Sequence, residues 1–484
     1  MILDRRRFLA GAAALAAVPP VSPRPDRFAG RAITADLAVV REAYDRLHPG
    51  LTRYLPTGGF DRLVARATDW ARPGRTPAET YLMLARLTAA VRCGHSHANP
   101  ANQRRRVQQE LIGRADRLPF CTTWRDARMI VTDPLDASLP RGTEVLAVDG
   151  VPAARLLAEM LPLTRADGHN DAKRVAQLEL HRADRYAAFD VFRTLLHPTP
   201  RAGEVRLCVR RPGGAETMLT FATAAEGRRG TAAAADPQYG WRFAIDADGV
   251  GVLTMPDWSL YDSKWDWRGF LDGVADELIA ARARGLVVDL RENEGGLDCG
   301  DVLLERLVAR PVAPPPGRRL VRFRETPAAL RPLLDTWDPS FHTLGAEAVP
   351  VRDRPGFLDL GAAESRAIAP RGRRFAGPLV VLVGPTCSSA TFGFAEMVQR
   401  ERLGTIVGAP TGGNRRGING GCYFFVRLPE TGLEVDLPLI GYFPDAAQPD
   451  RGVLPDVAVA ATLADIAAGR DPALERARGL ARSI

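Results

Sequence analysis

Apolar residues in the first part of the chain recur at the spacing of an α-helix. Between residues 34 and 91 they return every three or four positions, as in Leu37, Val40 and Ala43, which places them on one helical face. Such a face is stable only when it is buried against other elements, so several amphipathic helices must pack together. The pattern therefore predicts a small helical domain over residues 31–112.

The pattern changes to short strand-like runs after this helical region. The run 144–148 ends at Asp149-Gly150, a pair typical of tight turns, and a helical pattern begins at about Ala153. Strands mixed with helices at this spacing predict a separate α/β module over residues 113–225. A long insertion, residues 156–200, separates its strands.

Strands and helices alternate in the last part of the chain, residues 226–484. Buried strands are predicted at 286–290 and 379–383, and each precedes a polar loop and a helical pattern. A strand, a crossover helix and a further strand imply a mainly parallel sheet with functional loops at the carboxyl ends of its strands. The proline-rich segment 311–375 interrupts the alternation, and we expect it to cover the site as a lid.

The first thirty residues follow a different pattern. Arg5 to Arg7 precede a run of small apolar residues, 10–18, which ends at Pro19-Pro20. The run is too short to span a bilayer, and its flanks are those of a cleaved signal rather than an anchor. Residues 1–30 are therefore predicted to be a twin-arginine signal peptide and linker, and the mature protein to be periplasmic or secreted without a stable membrane anchor.

Composition and charge limit the kinds of molecule that the chain is expected to bind. With 484 residues, 46% hydrophobic and 25% charged, the chain is a globular protein too long for one ordinary core. Lys+Arg 65 against Asp+Glu 57 gives a net charge of +8, and so modest an excess does not favour nucleic acid. Only Lys173 and Lys264 are lysines, so nearly all positive charge is guanidinium, which does not serve as a base.

The cysteines and histidines leave a metal site as an open alternative. Six cysteines are scattered without CxxC spacing, and no pairing can be assigned to them. Cys93, His95 and His97 alternate, so on an extended segment they would face one way as soft metal ligands. Such spacing often occurs by chance, and zinc sites usually have further ligands. We therefore predict no metal and no cofactor, and metal analysis of the pure protein would decide.

The candidate nucleophile is Ser389, which follows a buried strand and begins a helix. There, unpaired N–H groups and the positive end of the helix dipole favour a developing oxyanion. A serine at a helix start is usually only an N-cap. Its position alone therefore leaves both interpretations open.

Four motifs in chain order resemble those of the carboxyl-terminal-processing peptidases and their tricorn-like relatives, the tail-specific protease superfamily. They are Asp-Leu-Arg-Glu-Asn-Glu-Gly-Gly at 289–296, Ser-Ala-Thr-Phe at 389–392, Gly-Ala-Pro-Thr-Gly-Gly at 408–413 and Gly-Val-Leu-Pro-Asp at 452–456. The helical domain is also similar, through residues 47–49 and 93–97, and residues 142–150 resemble part of a PDZ domain. The resemblance implies an α/β fold with a crotonase-like ββα-type catalytic domain, and a serine peptidase that forms an acyl-enzyme on Ser389.

The resemblance offers two general bases for this nucleophile. The processing-peptidase branch has a lysine after the Pro-Thr-x-Gly turn, but this chain has Asn414 there and no lysine after Lys264. The tricorn-like branch borrows a histidine from a preceding domain, which maps to His95, with His97 as the alternative. Imidazole titrates near neutrality, so it can accept the serine proton and return it to the leaving amine.

The remaining groups of the site also follow from the resemblance. The oxyanion donors map to the N–H of Ala390 and to Gly295 or Gly296, where backbone must approach substrate closely. An acid that orients the histidine maps to Asp450, offset by one residue. Two further acids precede it, Glu434 and Asp436.

Departures from the family pattern keep other functions open. Thr391 and Phe392 stand where the family motif has serine and glutamate, and relatives in a retinoid-binding branch use the scaffold for apolar ligands. A catalytically weak or inactive binding protein for an apolar ligand or a peptide is one alternative, and an esterase is another. For the peptidase, we expect a peptide or protein substrate, whose carboxyl end the PDZ-like module would take by strand addition. Oligomeric state is not predicted.

Overall fold

The computed structural model describes most of the chain beyond the predicted signal peptide. The described residues are 26–113, 116–134, 137–181, 186–201, 203–224, 238–313, 316–361 and 367–482. The twin-arginine motif and its apolar run lie outside these ranges. Within them, none of the helices combines the length and the apolar character that a membrane crossing requires.

The amino-terminal region is helical, as its apolar spacing predicts. Its helices are α1 (Gly30–Leu47), α2 (Leu51–Tyr54), α3 (Gly59–Ala71), α4 (Pro77–Ala89) and α5 (Arg105–Val107). The predicted face of α1 is buried, since Leu37 and Val40 are at most 1% exposed. Helix α4 begins with a capping box, in which Glu79 N donates to Thr76 Oγ1 (3.2 Å) and Thr76 N donates to Glu79 Oε2 (2.8 Å). These bonds satisfy donors that a helix start leaves free.

The middle region is an antiparallel sheet with three helices. Its strands are β1 (Cys121–Arg125), β2 (Arg128–Asp133), β3 (Glu144–Val148), β4 (Val151–Pro152), β5 (Glu204–Arg210) and β6 (Glu216–Ala222), and its helices are α6 (Ala153–Met160), α7 (Asp171–Ala176) and α8 (Ala188–Leu196). The strand order is β1-β2-β3-β5-β6, and β4 pairs with β3. The strand predicted at 144–148 and the helix start at Ala153 are confirmed. Likeness to a PDZ domain stays a prediction, as do the domain boundaries.

The last region contains two sheets. Its strands are β7 (Arg242–Ile245), β8 (Val250–Thr254), β9 (Gly285–Asp289), β10 (Gly317–Val321), β11 (Leu334–Asp335), β12 (Val349–Pro350), β13 (Leu358–Asp359), β14 (Leu379–Val383), β15 (Thr405–Gly408), β16 (Asn419–Arg427), β17 (Glu434–Pro444) and β18 (Val457–Ala458). Its helices are α9 (Trp267–Ala280), α10 (Cys299–Leu304), α11 (Ser389–Arg400), α12 (Leu463–Ala468) and α13 (Pro472–Arg482).

The predicted parallel sheet is confirmed. Its order is β18-β15-β14-β9-β8-β7, in which only β7 runs antiparallel to its neighbour. Strands β9 and β14 pair side by side. The loops after these two strands therefore meet at one edge of the sheet, which is where such sheets place their sites. The fold is mixed α/β, and its crotonase-like detail stays a prediction.

A second, antiparallel sheet interrupts the expected alternation of strands and helices. Its order is β11-β16-β17-β10-β13-β12. Four of its strands come from the proline-rich segment 311–375, and three of those have only two residues, too few for apolar periodicity to predict them. This sheet shares one apolar core with the helical region, since Phe424 and Leu437 cluster with Leu37. That packing brings the loop after α4 against β16 and β17.

Candidate active site

Ser389 lies in the sharp turn between β14 and α11. Its φ of +52° is left-handed, a conformation that non-glycine residues rarely adopt and that is concentrated at functional sites. The residue in the N-cap position is Ser388, which is extended at φ −141° and makes no capping hydrogen bond through its side chain. Ser389 is partly exposed, and its hydroxyl has no hydrogen-bond partner among the described residues. The structure thus leaves this hydroxyl free for chemistry.

The Gly295-Gly296 loop lies directly against the nucleophile turn. A Cβ added to Gly295 would lie 2.8 Å from Ser389 Cβ and 2.9 Å from Ala390 N, so only glycine fits. Gly295 N donates to Asn293 Oδ1 (2.8 Å). The N–H groups of Gly296 and Ala390 have no acceptor within the described ranges. These two groups are therefore the donors left for an oxyanion.

The residues that depart from the family pattern hold the turn in place. Thr391 Oγ1 donates to Asn293 O (3.0 Å), and Asn293 Nδ2 donates to Met255 O (2.7 Å). Phe392 is buried, and its ring occupies the space that a side chain at Gly413 would need. Both substitutions therefore support the strand-to-helix turn.

Lys173 is a site residue that sequence reasoning missed. Its ammonium donates to Thr386 O (2.9 Å) and Ser388 Oγ (3.3 Å) and also contacts the Glu294 carboxylate. Its side chain is only 2% exposed. Burial lowers the pKa of Lys173, whereas the charge of Glu294 opposes that shift. The signal in the sequence is its rarity, since the chain has only two lysines and Lys173 is the one in the insertion.

We expect the change Lys173→Met to destabilise the protein. It removes hydrogen bonds from a buried ammonium, so the free energy of unfolding should fall by about 2–3 kcal/mol. Lys264→Met changes the only other lysine, which is exposed, and should cost less than about 0.5 kcal/mol. Denaturant unfolding of both variants measures the difference. Equal stability of the two would contradict the structural role of Lys173.

His95 belongs to the loop after α4 and approaches the nucleophile turn through Arg165. Arg165 Nη1 donates to Gly94 O (2.7 Å), and its Nη2 donates to Glu294 Oε2 (3.1 Å). One guanidinium thus joins the histidine loop to the Gly-Gly loop beside Ser389. Burial lowers the pKa of His95, while the nearby Asp167 carboxylate opposes that shift.

Asp167 is the acid beside His95, and sequence reasoning did not find it. It is 2% exposed, and one of its carboxylate oxygens lies within 4.8 Å of a ring nitrogen of His95. Gly94 N donates to Asp167 Oδ1 (2.8 Å), and a Cβ at Gly94 would lie 2.6 Å from Asp167 Oδ2. This contact explains why glycine precedes the histidine here.

Asp450 lies in a neighbouring group of residues. Its carboxylate accepts from His169 Nδ1 (2.6 Å), His169 N (3.2 Å) and Asn414 Nδ2 (2.6 Å). Asn414, at the family's lysine position, also donates to Asp167 O (3.2 Å). In the part of the chain that the structure describes, the hydrogen bonds of Asp450 therefore go to His169 and Asn414, not to His95.

His97 faces the antiparallel sheet. Its Nε2 lies 3.4 Å from Asp436 Oδ2, and Asp436 also accepts hydrogen bonds from Asn99 and Asn102. Burial raises the pKa of Asp436 to about 6. These contacts join the loop after α4 to β17. His97 therefore stands in a polar network of its own, whereas His95 lies beside Asp167.

An aromatic wall borders the histidine loop. The ring of Tyr423 lies 6.0 Å from that of His95 and 5.6 Å from that of Trp337. Trp337 is 40% exposed and belongs to the proline-rich segment. That segment therefore contributes to the surroundings of His95, and its role as a lid stays a hypothesis.

One group of potential metal ligands occurs among the described residues. It consists of Cys93, His95 and Asp167, not of the alternating Cys93, His95 and His97 that the sequence suggested. The six cysteines, all of which lie in described ranges, are free thiols.

Solved structures share the overall fold. A mutant of CPAF has a TM-score of 0.62 at 16% identity, over 94% of this chain and 97% of that chain. Mature CPAF in complex with lactacystin has a TM-score of 0.60 at 17% identity, over 94% and 98%. The photosystem II D1 C-terminal processing protease aligns over 88% of this chain and 93% of that chain at 15% identity, with a TM-score of 0.41. No curated protein matches the sequence.

The sequence itself matches one family model. The match covers residues 249–459 and is described as peptidase family S41. It includes the Gly-Gly loop, the Ser389 turn, the Pro-Thr-Gly-Gly turn and the Gly-Val-Leu-Pro-Asp element, so it confirms the resemblance that these motifs carried. Residues 249–459 of this chain therefore match peptidase family S41, a family of serine-type peptidases.

Proposed function

We propose that this serine peptidase is exported and hydrolyses peptide bonds with Ser389 as nucleophile and His95 as general base. The observation that carries the proposal is the left-handed conformation of Ser389, whose turn presents the free N–H of Ala390, while the free N–H of Gly296 belongs to the Gly-Gly loop packed against that turn. The hydroxyl and the two candidate oxyanion donors thus lie on two loops that are in contact.

Each group has a defined step in the proposed reaction. Ser389 Oγ attacks the peptide carbonyl carbon while His95 accepts its proton. The N–H groups of Ala390 and Gly296 bind the oxyanion of the tetrahedral intermediate. His95 then protonates the leaving amine, and an acyl-enzyme remains on Ser389. Water, activated by the same imidazole, hydrolyses the ester and restores the enzyme.

Asp167 replaces Asp450 in this proposal as the acid that orients His95. A buried carboxylate next to the base stabilises the imidazolium that forms when the base accepts a proton. Asp167 is fully buried and lies beside His95, whereas Asp450 bonds His169.

We expect Asp167→Asn to lower kcat/KM by about 10²- to 10⁴-fold, because the His95 imidazolium loses the charge that stabilises it. It should also move the acid limb of the pH profile. Catalysis needs neutral His95, so activity rises as pH rises through its pKa, which burial already places below the ordinary 6.5. Because the Asp167 charge raises this pKa, its loss should shift the limb to still lower pH. Asp450→Asn is the matched control, and a larger effect of that variant would identify His169 and Asp450 as the working pair.

A serine-directed phosphonate probe and a peptide library together test the proposal. Covalent labelling with release of new amino termini supports the peptidase. Binding without turnover would support the apolar-ligand or peptide-binding alternative, and ester turnover without amide turnover would support the esterase. The substrate class proposed is a peptide or protein.

Export is part of the same proposal. It rests on Arg5 to Arg7 and the apolar run that follows them, which have the order of a twin-arginine signal. Recovery of a shortened, folded protein from the periplasmic or extracellular fraction is its test, and retention of the full-length chain in the cytoplasm would overturn it.

A further inference from the structure

Three side chains of types that can bind a metal ion converge between the loop after α4 and the insertion of the middle region. A ligand atom of each of Cys93, His95 and Asp167 lies within 4.8 Å of the other two. Cys93 and His95 come from the loop after α4, and Asp167 comes from the insertion before α7. The tertiary packing, not the local spacing, therefore assembles the group.

Two atoms of this group have unused hydrogen-bonding capacity. Asp167 Oδ2 and His95 Nδ1 are both buried and have no hydrogen-bond partner in the described residues. Leaving a buried polar atom without a partner costs about 1–3 kcal/mol. A cation bound between these atoms would remove that cost at both of them.

Neighbouring groups orient the ligands. Asn419 Nδ2 donates to Cys93 Sγ (3.3 Å), and Gly94 N donates to the other carboxylate oxygen of Asp167 (2.8 Å). Hydrogen bonds of this kind fix the direction of metal ligands in known sites. Cys93 and Asp167 are 1% and 2% exposed, so solvent competes little for either side chain.

The donor set selects the class of cation. Sulfur, nitrogen and carboxylate oxygen together suit a borderline-soft ion such as Zn²⁺, whereas Ca²⁺ and Mg²⁺ need oxygen ligands. Three protein ligands leave a fourth tetrahedral position open for water.

We propose that Cys93, His95 and Asp167 form an inhibitory site for Zn²⁺ or a similar thiophilic divalent cation. Binding requires the Cys93 thiol to release its proton to solvent. The cation binds the lone pair of a His95 ring nitrogen. His95 then cannot accept the proton of Ser389. The inhibitory effect rests on the proposed function, whereas the binding site itself does not.

A cobalt titration tests binding without any need for catalysis. The mature full-length chain, freed of metal with a chelator, is titrated with Co²⁺, whose thiolate charge-transfer absorption reports a sulfur ligand, and Zn²⁺ is then added as competitor. Cys93→Ser should weaken binding by at least about 100-fold, since even the loss of a residue that only hydrogen-bonds to a ligand weakens metal affinity by about 10- to 100-fold. Cys121→Ser, at another buried cysteine, should leave it unchanged. Asp167→Asn replaces Cys93→Ser if that variant does not fold.

Activity measurements separate inhibition from binding. Each variant's peptidase activity with equimolar Zn²⁺ is compared with its own activity in chelator. Wild type and Cys121→Ser should be inhibited, and Cys93→Ser should not. Equal inhibition of Cys93→Ser, no thiolate absorption, or binding without inhibition of an active enzyme would overturn the proposal. Cys93-dependent binding by a protein without peptidase activity would support the metal site and overturn the proposed function instead.

Discussion

Replacing Ser389 by alanine should abolish both peptide hydrolysis and covalent labelling by a serine-directed probe. The expected loss in kcat is about 10⁴- to 10⁶-fold, because no other group can form the acyl-enzyme and only binding and the oxyanion donors remain. The hydroxyl makes no hydrogen bond within the described ranges, so its removal should leave the melting temperature close to that of the wild type.

Ser388→Ala is the matched control for this experiment. The Ser388 hydroxyl donates to Glu294 O (3.1 Å) and accepts from Lys173, so it supports the turn. Losing these two hydrogen bonds should cost about 2–3 kcal/mol of stability, while kcat should stay within about tenfold of wild type because Ser389 keeps its hydroxyl. If Ser388→Ala were the inactive variant, or if Ser389→Ala were still labelled, the nucleophile would be wrongly assigned.

The elements that could be predicted from the sequence are those with long apolar patterns. Strand β14 has five buried residues in succession, and the predicted range 379–383 coincides with it. Strands β11 to β13 have two residues each; β11 pairs with β16, β13 pairs with β10, and β12 pairs with β13. No local pattern of two residues can predict such a partner.

The candidate site was also only partly predictable from the sequence. The Ser389 turn and the Gly-Gly loop follow two adjacent strands, so their motifs predicted correctly that they meet. Lys173 and Asp167 lie in the insertion of the middle module, whose approach to the turn depends on packing between distant parts of the chain. No spacing within the insertion indicates that contact.

Gly94 and Asn414 can be explained together once the packing of the insertion is known. Gly94 leaves space for the Asp167 carboxylate. Asn414, which replaces the family's lysine, donates to the backbone oxygen of Asp167 and to Asp450. The missing lysine and the glycine before the histidine thus both relate to one insertion, which supplies an acid to His95.

Replacing His95 by alanine should reduce kcat/KM by about 10³- to 10⁴-fold, because Ser389 then has no base to accept its proton. Its buried Nδ1 has no hydrogen-bond partner in the described residues, so the change breaks no network, and thermal unfolding should show a folded protein.

His97→Ala and His169→Ala are the matched controls. His97 contacts Asp436 and His169 contacts Asp450, so their loss should lower stability while kcat/KM stays within about tenfold of wild type. Added imidazole should partly restore activity in His95→Ala alone; an active His95→Ala beside an inactive His169→Ala would instead place the base in the insertion.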